Sequence, residues 1–262
     1  MNWNCILEQV AQTTSTNDDL LIRWRAGELI DPIARMASVQ TAGKGRAGRD
    51  WQTQLGDSLC FSLAYPFQCS PAQLSGLSLA VGIGVINGIS SALNLPLSKL
   101  YEMGLRLKWP NDIVLGERKL GGILIEGGQT QPDQATWMVI GVGLNAVKTT
   151  MLESAVGKSI AGLEELLIKP AQLPALDIIW LKILDQLQPI LSEFEEQGFA
   201  ALQKIWLEWD AYANQAVIIT SPGMNPQTGI ALGVNKLGAL ILQQGSQQTL
   251  IHAGDVSLRG QK

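Results

Sequence analysis

The densest chemistry in the chain lies between Lys108 and Glu126, KWPNDIVLGERKLGGILIE. Two lysines, Lys108 and Lys119, flank the acid Asp112, and Asn111 stands beside it. Pro110 removes a backbone donor and fixes φ, so the apolar run of Leu105, Leu107 and Trp109 should break there. Asn111 and Asp112 favour turns and carry acceptor oxygens. Ile113, Val114 and Leu115 resume a strand, Gly116 to Arg118 make a tight connection, and a second strand runs from Lys119 through Ile125. The expectation is a hairpin with a lysine at each end of its first half, a carboxylate in the kink and a double glycine, Gly121–Gly122. A double glycine inside a strand marks close approach of a ligand or another backbone. Lysine, aspartate and bare backbone together suit a nucleotide phosphate and a metal ion. The same residues also make an ordinary proline-broken hairpin, since PND and GG are both common turn chemistry.

Two further stretches carry chemistry. Thr41 to Trp51 reads TAGKGRAGRDW, and its glycines match GxGxxG. A dinucleotide-binding turn needs a helix straight afterwards. The sequel, DWQTQLGD, is polar and lacks a helical period, so that reading is rejected. What remains is a flexible loop offering backbone N–H groups and the cations Lys44, Arg46 and Arg49 to an anion. With almost no apolar side chain to bury, it should be mobile when empty. Upstream, Ser15 followed by Asp18 has the capping-box pattern of a helix start. The hydroxyls and amide of Ser15, Thr16 and Asn17 are either a plain cap or hydrogen-bonding groups for a polar small molecule.

The elements that must position these groups follow from periodicity. Strands are expected at Ile6 to Val10, Ala34 to Gln40, Ser58 to Tyr65 and Thr136 to Asn145. The last of these ends in Gly143-Leu144-Asn145, which can line a site or simply turn. Gln73 to Leu93 reads as a buried helix whose glycines at 76, 82, 84 and 88 would let it pack close to a sheet. Leu173 to Glu196 has helical spacing, and Phe199 to Tyr212 adds a helix with Trp206 and Trp209 in the core. From Gln215 the composition shifts to about five short strands between turn signals, the last at Val256 to Leu258, a pattern that fits a small β-barrel. The expected fold is α+β, a mixed sheet with helices over residues 1–213, then the small β domain over 214–262.

Composition narrows the classes. At 262 residues the chain can hold one large domain, or one plus a small appendage. Its net charge of −4 gives no electrostatic support for general nucleic-acid binding. Cys5, Cys60 and Cys69 are odd in number and form no CxxC pair, which fits reduced thiols in the cytoplasm. His252 is the only histidine, so a histidine metal cluster is excluded. The N-terminus lacks the pattern of a signal peptide, and the most apolar run, Leu77 to Ile89, is too short and glycine-rich to span a membrane.

Taken together, the stretches resemble the biotin–protein ligases, through STN, GKGRAGRDW, KWPNDI, KLGGILIE, VIGVGLN and a C-terminal GDVSLR. The resemblance implies a catalytic domain related to lipoate ligases and class II synthetases, followed by an SH3-like domain. It implies two steps, in which biotin and MgATP give biotinyl-5′-AMP, and a lysine of a carboxylase's biotin carboxyl-carrier domain then takes the biotin. By resemblance Lys119 and Arg46 are catalytic, Lys119 stabilising charge on the biotin carboxylate and the phosphate. Ser15, Thr16, Asn17, Gln40, Lys44, Gly45, Arg46 and Lys119 would meet biotin. Arg49, Lys108, Asn111, Asp112 and Arg259 would serve ATP, and Asp112 would ligate Mg²⁺. The loop would close over the intermediate, with Trp51 either ordering it or packing in the core. Lys44 stands where the family's common GRGRxG has arginine, which keeps the charge but loses the bidentate fork.

The resemblance also bears on partners. The motifs start near residue 13, so no DNA-binding domain precedes them in this sequence, and DNA is not an expected partner. Members of the family often pair through sheet edges, so a homodimer is compatible with the chain. Two other readings share the motifs: a lipoate or octanoate ligase of the same fold, and a non-catalytic module that binds biotin or its adenylate. The GKGRAGR loop and KWPND weigh against the first, and the presence of Lys119 and Asp112 weighs against the second.

Overall fold

The computed structural model describes residues 4–129, 134–150, 153–154, 159–223, 225–254 and 257–260. The larger sheet is mixed and seven-stranded, in the order β1-β2-β3-β7-β6-β5-β4, and its central strands are buried on both faces. Its strands are β1 (Ile6–Thr13), β2 (Ile33–Gln40), β3 (Ser58–Phe67), β4 (Leu105–Lys108), β5 (Asp112–Leu115), β6 (Arg118–Gly128) and β7 (Thr136–Asn145). β1 and β2 are parallel, and the other neighbours are antiparallel.

Helices cover both faces. α1 (Thr16–Arg25) lies on one, where Leu20 and Leu21 pack with Ala64 and Val139. Its Ser15 cap accepts from the Asp18 N–H, with acids in the first turn and arginines in the last, as the helix dipole favours. The other face carries α2 (Leu77–Leu93), α4 (Leu176–Gln197) and α5 (Phe199–Glu208). α3 (Leu97–Glu102), short and entered through Pro96, was not legible in the sequence. The glycines of α2 serve helix packing more than sheet packing. A Cβ at Gly84 would come 2.7 Å from Leu187 of α4, and one at Gly88 would overlap Ile183; at Gly82 alone the neighbour is Leu107 of the sheet. Trp206 and Trp209 are buried, as their spacing implied.

The central hairpin is corrected in one respect. Pro110 does not merely interrupt a strand; Trp109 to Asn111 is a reversal, so Lys108 faces Asp112 across an antiparallel pair. Lys108, Asp112 and Lys119 therefore sit on three adjacent strands. A proline can occupy a turn as well as a break, and the four-residue strands on either side are too short to tell the two apart.

The second sheet is antiparallel, in the order β11-β10-β9-β8-β12. It comprises β8 (Gln215–Thr220), β9 (Gln227–Val234), β10 (Leu240–Gln244), β11 (Gln247–Ile251) and β12 (Ser257–Gly260). The start expected for the last strand at Val256, and Asp255 of the GDVSLR motif, lie outside the described residues. Val217, Ala231, Leu240 and Leu258 join the same apolar core as the large sheet. The Trp109 indole N–H donates to the Gly238 carbonyl at 3.0 Å, and Leu107 exchanges backbone bonds with Trp209 and Ala211.

Candidate functional site

A cavity of about 470 Å³ lies between α1, the glycine loop and the open face of β3, β6 and β7. Glycines make the room for it. A Cβ at Gly141 would overlap the Asn17 side chain, and one at Gly143 would come 2.5 Å from the Trp51 ring. On β3, Leu59, Phe61 and Leu63 are buried, while the alternate face presents the small residues Cys60 and Ser62.

The inner end of the cavity is polar and wired together. Gln40 Oε1 accepts from the Thr16 backbone N–H at 2.8 Å and its hydroxyl at 3.1 Å. The Thr16 and Ser62 hydroxyls lie 2.7 Å apart, the Ser62 hydroxyl donates to Asn17 Oδ1 at 2.6 Å, and Asn17 Nδ2 donates to Glu126 at 3.1 Å. Ser15, Thr16, Asn17 and Ser62 are all buried. Polar side chains removed from water in this way must find partners, and they orient one another into a fixed set of donors and acceptors. Ser62 and Glu126 were missed by the sequence reading. The available signal was weak: a lone serine on the small-residue face of β3, and an acid at the end of an apolar strand.

Cations gather toward the other side. Lys119 Nζ is 2.7 Å from Asp112 Oδ1 and 5.4 Å from the Trp51 ring centroid, and Lys108 Nζ is 3.8 Å from Asp112 Oδ2. The Lys119 backbone is braced as well: its carbonyl accepts from the buried Asn145 amide at 3.1 Å, the same amide that holds the Ala161 carbonyl. Asn145 thus ends β7 by fixing the strand that carries the lysine.

The glycine loop forms no helix of the dinucleotide-binding kind. It makes one tight turn at Arg46–Gly48, with Ala47 at φ 55° and Gly48 at φ 66°. Its base is pinched by the Trp51 N–H donating to the Gly43 carbonyl at 2.8 Å. Lys44 pairs with Asp18 of α1 at 2.7 Å. Arg46 donates to Asn111 Oδ1 at 2.9 Å and, across the junction, to the Gly254 carbonyl. Of the two readings of Trp51 the structure favours the first: its backbone closes the loop base, while its half-buried ring walls the cavity and is not part of the apolar core. Burial pushes the Cys60 thiol up to about 12, so it stays protonated and unreactive in the cavity wall.

The structure thus brings Ser15, Thr16, Asn17, Gln40, Lys44, Gly45, Arg46, Asn111 and Lys119 to one cavity, with Asp112 and Lys108 joined to it through ion pairs. Arg49 and Arg259 are exposed and are not among the lining residues. Arg49 is turned outward while its carbonyl accepts from Gly45, and Arg259 is held in β12 opposite Ile218.

Residues 9–145 match the model of the biotin/lipoate A/B protein ligase family, and residues 212–259 match that of the biotin protein ligase C terminal domain. The chain is 35% identical over 246 residues to the bifunctional ligase/repressor BirA of Escherichia coli, spanning 94% of this chain and 71% of that protein. The chain belongs to the biotin/lipoate A/B protein ligase family. It is also 32% identical over 251 residues to the biotin–[acetyl-CoA-carboxylase] ligase of Mycobacterium tuberculosis, covering 95% of this chain and 88% of the other. Its fold matches the biotin protein ligase of Aquifex aeolicus, solved in complex with biotin and ATP, with a TM-score of 0.78, 24% identity and coverage of 98% and 99%. Among the described residues no helix is long and apolar enough to cross a membrane.

Proposed function

We propose that the chain is an ATP-dependent biotin–protein ligase. The biotin carboxylate attacks the α-phosphate of ATP, giving biotinyl-5′-AMP and pyrophosphate. A lysine of a biotin carboxyl-carrier domain then attacks the acyl carbon and releases AMP. The observation that carries this reading is the polarity of the cavity: a buried set of matched hydrogen-bonding groups at one end, and Lys119 and Arg46 at the other.

That polarity favours biotin over lipoate. A ureido ring offers two N–H donors and a carbonyl acceptor to Gln40, Thr16, Asn17 and Ser62. A dithiolane ring offers no N–H donor and no carbonyl, so it forms none of these bonds, each of which is worth about 0.5–1.5 kcal/mol. The catalytic half needs no nucleophile–base pair. Two anions must be brought together, so cations, positioning and exclusion of water do the work. Lys119 exchanges its Asp112 partner for the carboxylate and phosphate oxygens, while Asn145 and Trp51 hold it in place. Arg46 and Lys44 close the loop over an anhydride that water would otherwise hydrolyse.

The nucleotide roles rest on different supports. For Lys108 and Asn111 the support is contact with the site: the Asp112 ion pair and the Arg46 hydrogen bond. For Arg49 and Arg259 it is charge and place in the motifs alone. Among the described residues no group of three His, Cys, Asp or Glu could hold a metal unaided. Asp112 fits a magnesium ion that arrives with the nucleotide's phosphates and takes one carboxylate from the protein. Such an ion would neutralise phosphate charge. The division into units 1–213 and 214–262 is supported by the change of sheet after α5. A cytoplasmic setting is supported by three free cysteines.

The test is biotin-dependent exchange of labelled pyrophosphate into ATP, with lipoate in a parallel reaction. Exchange with biotin and not with lipoate supports the reading. Exchange with lipoate alone overturns the substrate, and binding of biotin without exchange overturns the enzyme.

A further inference from the structure

We infer that His252 takes the proton from the acceptor lysine in the transfer half-reaction; this rests on the ligase reading above. A second, wider cavity of about 1190 Å³ lies at the junction of the two sheets and shares Arg46, Asn111, Ile123 and Leu124 with the first. The partition between the two is the Arg46–Asn111 hydrogen bond of 2.9 Å. The second cavity is walled by the start of α2, the Trp109–Asn111 turn and the 237–239 and 252–254 segments of the small sheet. The first cavity is roofed by the glycine loop, which the Lys44–Asp18 pair and Arg46 hold down. An acceptor side chain arriving at the acyl group therefore approaches through the second.

The amine it brings is protonated. A lysine side chain has a pKa of about 10.4, so at neutral pH well under ~1% is free to attack. Among the described residues lining the two cavities the ionisable ones are Lys44, Arg46, Cys60, Lys119 and His252. Lysines in a cluster of cations do not accept protons at neutral pH, and an arginine never does. The Cys60 thiol, pushed up to about 12, is already protonated. Asp112 lines neither cavity; it faces Lys108 and, on the ligase reading, is the carboxylate that meets the nucleotide's magnesium ion. His252 alone has a ring nitrogen suited to the task. It is exposed and faces the second cavity. It also stands two residues before Gly254, whose carbonyl holds the Arg46 guanidinium at the partition.

The step balances as follows. The amine nitrogen bonds to the acyl carbon, and the bond from that carbon to the phosphate oxygen breaks. AMP leaves with the electron pair. The ammonium loses two protons in becoming an amide; His252 takes one and solvent the other.

The experiment uses the full chain loaded with biotinyl-5′-AMP in a single turnover. The acceptor is the apo biotin-carrier domain of an acetyl-CoA carboxylase, or hydroxylamine, whose nitrogen is unprotonated at neutral pH. His252→Asn and His252→Ala should slow transfer to the carrier lysine at least ~10-fold, while hydroxylamine capture and pyrophosphate exchange stay within about 2-fold. Added imidazole should restore transfer by His252→Ala. Unchanged carrier transfer in both variants, or hydroxylamine capture falling in step with it, would overturn the inference. Failure of the unsubstituted protein to exchange pyrophosphate would overturn the ligase reading beneath it.

Discussion

Lys119→Met separates catalysis from stability at the centre of the site. The lysine contacts Asp112 at 2.7 Å, but its side chain is 41% exposed. An ion pair at that exposure contributes under about 1 kcal/mol. Removing it leaves Asp112 still facing Lys108 at 3.8 Å, so no charge is stranded. Unfolding temperature should therefore drop by no more than ~4 °C for a domain of this size. Catalysis should respond differently. A preorganised cation aimed at developing oxyanion charge is worth about 3–4 kcal/mol, so adenylation should fall ~100- to 1000-fold. The assay is biotin-dependent pyrophosphate exchange beside a thermal melt of the same sample. A loss below ~5-fold with the melt unchanged would refute the role given to Lys119. A large drop in melting temperature would show that the residue holds the fold and not the reaction.

Three further outcomes follow from the geometry. Gly141→Ala puts a Cβ into the Asn17 side chain, so biotin affinity measured calorimetrically should fall ~10- to 100-fold; unchanged affinity would mean that Asn17 is not part of the biotin site. Asp18→Asn releases Lys44, and since that pair is partly exposed the gain in hydrolysis of the bound adenylate should be no more than ~5-fold, read as AMP formed without acceptor. Asp210, buried at the junction of the two sheets, has its carboxyl pushed up by burial to about 6, against a small lowering from the Tyr212 N–H. The folded state thus holds this proton more tightly than the unfolded chain. The group's stabilisation is full below about pH 4 and is lost as pH rises through about 6, a difference of roughly 3 kcal/mol. Asp210→Asn should then gain on the parent protein in urea melts at about pH 8 relative to about pH 5, and an equal offset at both would contradict the assignment.

Much of the site was legible because its chemistry is local. STN, the glycine loop and the Lys108–Lys119 stretch each carry their residues within a few positions, and turn chemistry marks them. The sheet and the long helices were legible from alternation and from the spacing of Ile179, Ile183, Leu187 and Leu191. What escaped depends on contacts across the chain. Ser62 matters because Thr16 and Asn17 reach it from α1, and Glu126 because Asn17 meets it across the face of the sheet. Arg46 reads as a loop cation, yet its partner at Gly254 is 208 residues away. The glycines of α2 signalled close packing without saying against what, and the answer, Ile183 and Leu187, lies in a helix about a hundred residues later.

The most direct test of the central claim is the mass of an apo biotin-carrier domain after incubation with this protein, biotin and MgATP. A single biotin-sized gain on one lysine, absent without ATP and absent when lipoate replaces biotin, is the result expected. An unmodified carrier, shown competent with a ligase of known activity, would contradict it.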